Sequence, residues 1–429
     1  MYYYNVNGAA LASLTFLEGL GPEVEPSNSW RFFAAVPGDP VLGRGSFKVN
    51  HPGQLLAGHG LEALDASRLP CLGDGPTAVA LSDGTTVSLE LDENVKQSIA
   101  DGRLTAVNTS RPGWEEILKW SPKAGKKRVN ILAIGDVGST LLTGLKLLGG
   151  DVISSIGICD LSGQITDRWE FEMGQISLPW NYDAFPEVEV VAPEDLFDCD
   201  MFVFVASKGI PPVGSLVKDV RMYQFENNAK IVAHYAKMAR AARFQGLWCA
   251  VSDPVDPLAK TAYLESNQDE NGVFDGKGLR PEQIQGFGLG VMNARAAYFA
   301  KRDEKLASFL SEGRSFGPHG TGLFIANSID HYDEALSQEL THLTVTANLK
   351  MREIGFKPYV APALSSGALS LLLTLRGEWH CGSVFLDGVY MGVKNRYTPA
   401  GLETELLPRI PDPLFGHIRE AAEHLKTIL

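Results

Sequence analysis

The stretch that most restricts the fold is "RVNILAIGDVGSTLLTGLKLLGGDVISSIGICDLSG", residues 128–163. Val129 to Ile134 reads as a buried strand, and Gly135 and Gly138 fall at the turn that follows. Leu141, Leu145 and Leu148 then recur at helical spacing on one face, and Ile153 to Cys159 reads as a second strand that closes on Asp160. A strand, a tight turn, a helix and a second buried strand make a right-handed crossover, which commits this region to a parallel α/β sheet covered on both faces.

Such a turn also carries a chemical expectation. Glycine lets the backbone approach a pyrophosphate whose charge sits at the helix N-terminus, and an acid ending the second strand accepts hydrogen bonds from both ribose hydroxyls. Leu161 stands where a basic residue would receive a 2′-phosphate, so NAD is favoured over NADP. Two residues depart from the pattern: Ala133 occupies the first glycine position, and Asp136 brings negative charge close to where phosphates would lie. A turn of this shape without a cofactor is the competing reading.

At 429 residues the chain is long enough for two or three domains. Its net charge of −13 disfavours nucleic acid and anionic membranes as partners. The five cysteines are scattered without a C-x-x-C pair, and those beside apolar runs read as small buried hydrophobes of a reducing compartment. The first residues lack a basic signal-peptide start, and no apolar run reaches membrane-span length, so the expected location is cytoplasmic. Residues 1–125 read as an appended β-rich domain and linker, its clearest element a hairpin around Asp83-Gly84. His51 and His59 lie near one another, but nothing completes a metal set, and they read as exposed loop histidines. His380 beside Cys381 reads as a packed strand, and no metal is expected. The closing helix takes Asp412 as its N-cap and Pro413 in its first turn.

"SFGPHGTG", residues 315–322, places His319 among glycines and a proline. Taken alone this is a surface turn that contains a histidine. Several separated motifs, however, recur in one order. They are "DLFDCDMFVFVAS", "VRMYQFENNAKIV", "AVSDPVDPLAK", "IQGFGLGVMNARAAYFA", "SFGPHGTG" and "SVFLDGVYMGV". In that order, from about Val129 to Leu429, they resemble the lactate/malate dehydrogenase family.

The resemblance implies a doubly wound dinucleotide-binding Rossmann domain over 126–283 and an α+β catalytic domain over 284–429. It also implies NAD as cofactor, held by Gly135, Val137, Gly138, Asp160 and Ala206. His319 would be the acid-base catalyst and Arg295 the clamp on a substrate carboxylate, since a planar guanidinium grips a carboxylate with two hydrogen bonds. Arg221 would polarise the substrate carbonyl, with Lys218 as the alternative because the preceding loop is longer than usual. A homo-oligomer, dimer or tetramer, is implied as well.

Three positions depart from the family's pattern. Met292 replaces the aspartate that orients the catalytic imidazole, Asp253 replaces the asparagine that bonds the substrate oxygen, and the size-reading position falls near Pro211 or Pro212. The first two are expected to be linked, with Asp253 supplying the lost charge to His319 from the opposite side. Prolines at the third point to a 2-oxo monocarboxylate, while Lys208 and Lys218 keep malate open. The expected activity is NAD-dependent oxidoreduction of a 2-hydroxy acid through His319, Asp253, Arg221 and Arg295. The competing class is a non-catalytic NAD-binding sensor.

Overall fold

The computed structural model describes the chain apart from residues 25–30, 73–74, 76, 81–85, 120–122 and 209–219. Two compact units emerge. The first holds Met1–Lys123 together with Leu386–Gly388 and Tyr397–Ile410, and the second holds Ala124–Phe385, Val389–Arg396 and Pro411–Leu429. By contact the chain therefore groups differently from the expected 1–125, 126–283 and 284–429.

In the first unit, β1 (Tyr2–Val6), β2 (Ala9–Ser13), β3 (Arg31–Ala35), β4 (Ser46–Lys48) and β5 (Thr105–Val107) form a five-stranded sheet in the order β1-β2-β3-β5-β4. Helix α1 (Glu93–Ala100) starts on Asp92, whose carboxylate accepts from the amides of Asn94 and Val95. The late segment is tied in by polar bonds. Buried Asp65 accepts from the Ile410 amide at 3.0 Å, and the Thr105 hydroxyl donates to the Ala400 carbonyl at 2.8 Å. Strands Thr77–Ala80 and Thr86–Leu89 pair antiparallel as the hairpin expectation requires, while Asp83 and Gly84 lie outside the described residues. The two histidines are not exposed loop residues. His59 Nε2 lies 3.0 Å from the Val36 carbonyl and burial lowers its pKa, and His51 Nδ1 accepts from the Gly53 amide at 3.0 Å. Among the described residues no cluster has the makings of a metal site.

The second unit is built on β6 (Lys127–Leu132), α2 (Asp136–Leu148), β7 (Ile153–Cys159), α3 (Gly163–Gly174), β8 (Glu187–Val190), β9 (Met201–Phe204), α4 (Val220–Ala241), β10 (Leu247–Ala250), α5 (Val255–Ser266), β11 (Ile284–Gly286) and α6 (Leu289–Ala300). The strands run β8-β7-β6-β9-β10-β11, all parallel. Numbered within this half of the chain, that is the 3-2-1-4-5-6 order of doubly wound dinucleotide folds, with its switch point between β6 and β9. The sheet continues into β14 (His380–Leu386) and β15 (Val389–Thr398), and β11 meets β14 antiparallel, so no sheet boundary falls at residue 284.

Both faces of the sheet are buried, as its apolar runs dictate. Val129, Ile131, Met201, Val203 and Cys249 pack with Leu141 and Leu145 of α2 on one face, and Phe202, Phe204, Trp248 and Ala250 face the other. Strand β6 ends at Leu132, short of the expected Ile134, because Ala133 turns into left-handed backbone at φ +75°. Leu148, the last residue of α2, is exposed where burial was expected. The remaining named elements are β12 (Arg314–Phe316), β13 (Phe324–Ala326), α7 (Glu334–Glu353) and α8 (Asp412–Lys426). Pro411, not Asp412, caps α8, and Asp412 is its first residue. No helix among the described residues is long and apolar enough to cross a membrane.

Candidate active site

His319 stands in the turn between β12 and β13, and the glycines around it are required by geometry. Gly317 and Gly322 have φ of +93° and +94°, and a Cβ at Gly317 would lie 2.6 Å from the Gly322 carbonyl oxygen. Gly317 also exchanges backbone bonds of 3.0 and 3.2 Å with Gly392 of β15, which fixes the turn against the sheet.

The imidazole is held from one side. Nδ1 lies 2.7 Å from the carbonyl oxygen of Gly288, the residue that begins α6. A carbonyl can only accept, so Nδ1 carries hydrogen in both charge states, and Nε2 is the nitrogen that gains or loses a proton. Ser366 donates to the same carbonyl at 2.8 Å and accepts from the Val291 amide at 2.8 Å. A Cβ on Gly288 would come within 2.5 Å of His319 Cβ, so glycine is what admits the ring to this contact.

Nε2 faces Asp253, whose Oδ1 is 4.0 Å away, within ion-pair range and beyond a hydrogen bond. Asp253 follows β10 and precedes α5, and its backbone carbonyl accepts from Asn228 Nδ2 at 2.8 Å. Buried Asn228 of α4 also accepts from the Lys208 amide at 2.9 Å, joining the ends of β9 and β10. Three residues beyond Asp253, the buried carboxylate of Asp256 accepts from the His319 amide at 3.0 Å and from the Ser383 hydroxyl of β14. Burial raises the Asp256 pKa to about 6 in spite of both bonds.

Arg295 lies half-buried on α6. Burial lowers its pKa and the negative charge of Asp253 opposes that shift, while among the described residues no carboxylate is ion-paired with it. Its Nη1 instead approaches the sulfur of buried Met292, one helical turn earlier, at 3.6 Å. Position 292 thus faces the guanidinium, and the Gly288 carbonyl occupies the imidazole nitrogen that an orienting carboxylate would otherwise hold. Arg221 is the second residue of α4, and Pro211, Pro212 and Lys218 lie outside the described residues.

The turn after β6 fits a dinucleotide. Gly135 begins α2 with no side chain capping the helix amides, and a Cβ there would meet nothing within 4 Å, which leaves the helix N-terminus open. A Cβ at Gly138 would lie 2.1 Å from the Ala133 carbonyl oxygen, so only glycine fits. Val137 is half-buried in the first turn. Asp160 accepts from the amides of Ile134 at 2.8 Å and Ser162 at 3.1 Å, which leaves each oxygen a further lone pair. Across the switch point, the Ala206 carbonyl accepts from the Ser252 hydroxyl at 2.8 Å. The Asp136 carboxylate is ion-paired with Lys357 at 2.8 Å.

No protein-family model matches the chain. It is 24% identical over 204 residues to an L-lactate dehydrogenase of Mesomycoplasma hyopneumoniae (strain 232), a match covering 47% of this chain and 58% of that enzyme. With a malate dehydrogenase of Aliarcobacter butzleri (strain RM4018) it shares 25% identity over 278 residues, 62% of this chain and 82% of the relative. In sequence the chain is thus similar to lactate and malate dehydrogenases. In fold it is like the malate dehydrogenase of Archaeoglobus fulgidus solved with NADH, with a TM-score of 0.54, 17% identity, and coverage of 70% of this chain and 98% of the other.

Sequence reasoning missed Gly288, Asp256, Asn228, Ser366 and Ser383. All but Ser366 stood inside motifs already singled out, and the carboxylate of Asp256 and the amide of Asn228 were the available signals. Gly288, Ser366 and Ser383 act through backbone or a hydroxyl, which leaves no such mark.

Proposed function

We propose that this chain is an NAD-dependent oxidoreductase acting on a 2-hydroxy acid, interconverting it with the 2-oxo acid. The observation that supports this most is the presentation of His319. With Nδ1 committed to the Gly288 carbonyl, Nε2 is left as an acid-base atom facing Asp253, and half-buried Arg295, which feels the charge of the same aspartate, is ion-paired with no carboxylate among the described residues. NAD, when bound, supplies the hydride acceptor. Neutral His319 takes the hydroxyl proton at Nε2 as the substrate is oxidised, and the imidazolium returns it to the carbonyl oxygen in reverse. Arg295 grips the substrate carboxylate in a bidentate pair. Asp253 Oδ1 stands 4.0 Å from Nε2, on the side of the ring where the proton is exchanged.

Residues 126–283 would hold the cofactor through Gly135, Val137, Gly138, Asp160 and Ala206, and residues 284–429 most of the substrate site. Fully exposed Leu161 beside Asp160 supports NAD over NADP. Arg221 would polarise the carbonyl. The substrate class we favour is a 2-oxo monocarboxylate, with malate as the alternative, and the assembly a cytoplasmic homo-oligomer.

The test is NADH fluorescence on titration, followed by NADH oxidation with pyruvate, longer 2-oxo monocarboxylates and oxaloacetate. Turnover is expected on at least one, and His319→Gln is expected to lower kcat by roughly 10²–10⁴-fold with NADH binding retained. NADH binding without turnover on any acid would favour the sensor, and no binding would end both readings.

A further inference from the structure

We propose that Lys357 is a cofactor-binding residue whose task is to offset Asp136 at the pyrophosphate turn. The inference rests on the NAD reading above. Asp136 is the first residue of α2, directly after uncapped Gly135. In that place a carboxylate interacts favourably with the positive end of the helix, and a pyrophosphate would compete for the same end. Left alone, Asp136 would repel the very group the turn is shaped to receive.

Lys357, which follows the C-terminal end of α7, brings its ammonium to 2.8 Å from Asp136 Oδ2. The hydrogen bond to Asp136 raises the lysine's pKa, so the ammonium is charged throughout the neutral range. The lysine side chain is 79% exposed and the aspartate 52%. An exposed pair of this kind adds little to stability and is easily exchanged. One lysine ammonium has three donors, enough to keep the carboxylate and meet a phosphate oxygen together, or to pass from one to the other. A cation contributed from so far along the chain thus restores the electrostatics that residue 136 disturbs.

The experiment is a double-mutant cycle read by NADH fluorescence titration on the full chain at low ionic strength, with Lys357→Ala, Asp136→Asn and the double variant. Lys357→Ala is expected to weaken NADH binding about tenfold, because it leaves Asp136 facing the pyrophosphate. Asp136→Asn is expected to bind at least as tightly as the parent. The double variant is expected to return to within about threefold of the parent, since the repulsion leaves with the carboxylate. Thermal melts of all four proteins check that the exposed substitutions leave the fold intact. Equal dissociation constants for the parent and Lys357→Ala would overturn the proposal, and so would a double variant as weak as Lys357→Ala. A parent that fails to bind NADH at all would instead count against the NAD reading.

Discussion

The turn after β6 and the turn carrying His319 both depart from the pattern of the dehydrogenases they resemble, and they are repaired in different ways. At the exposed turn the fault is a charge, Asp136, and it is met by another charge, Lys357, at 2.8 Å. At the turn carrying His319, whose ring is mostly shielded, the fault is a missing carboxylate, and its orienting role falls to a backbone carbonyl, that of Gly288, at 2.7 Å. Exposure to solvent explains the difference. In water an ion pair is cheap to form and to exchange, whereas beside a shielded ring an extra charge costs desolvation that a peptide dipole avoids.

The contrast breaks first at Gly288. In Gly288→Ala the new methyl would crowd His319 Cβ at 2.5 Å, so the ring must leave its carbonyl. We expect kcat to fall by roughly 10²–10³-fold with NADH affinity little changed, a misplacement effect. Near-parent kcat would show that the carbonyl contact does not orient the catalyst.

A second test concerns two buried groups with opposite shifts. His380 is buried against Phe287 with Nε2 3.0 Å from the Thr374 hydroxyl, and burial lowers its pKa to about 4. The unfolded chain takes up this proton near pH 6.5 and the folded chain only near 4, so the contribution of His380 to stability is lost as pH falls through that window. Asp256, raised to about 6, acts in the other direction, stabilising the fold as pH falls from about 6 towards 4. The two slopes largely cancel. Replacing His380 by Phe is expected to unmask Asp256, and denaturant titrations should show this variant gaining about 3 kcal/mol relative to the parent between pH 6.5 and 4. Parallel pH profiles would contradict the lowered pKa of His380.

Met292→Asp sharpens the comparison at smaller scale. The sequence alone linked Met292 to Asp253 through His319, but Met292 contacts Arg295 at 3.6 Å. A carboxylate there would engage the guanidinium before a substrate can. We expect KM for the 2-oxo acid to rise about tenfold with kcat nearly constant. A higher kcat/KM would show that residue 292 acts through His319 after all.

Ala133→Gly should have the smallest effect. Ala133 holds φ +75°, a conformation costing L residues roughly 1–2 kcal/mol, and the glycine variant is expected to gain about 1 kcal/mol of stability by thermal melt.

The parallel core was legible because β6, β7, β9 and β10 are mostly buried, and burial on both faces writes itself as predominantly apolar runs. The glycines at 317, 322 and 138 were legible for a similar reason: the first two hold left-handed backbone and at the third a Cβ would strike the Ala133 carbonyl oxygen, so only glycine tolerates those places. The domain grouping was not, because Asp65 meeting the Ile410 amide is a contact between residues far apart in the chain with no periodicity to announce it. The orienting partner of His319 was equally hidden, since Gly288 supplies a carbonyl that every residue possesses.

By itself, then, the sequence determined which segments of the parallel sheet are strands and helices and where glycine is indispensable. Only the tertiary structure decided what replaces the lost carboxylate, that Met292 answers to Arg295, and that Lys357 reaches Asp136. The physical reason is that side-chain pattern encodes burial, while the partners of a backbone carbonyl or of a charge on a distant segment are set by where the folded chain brings them.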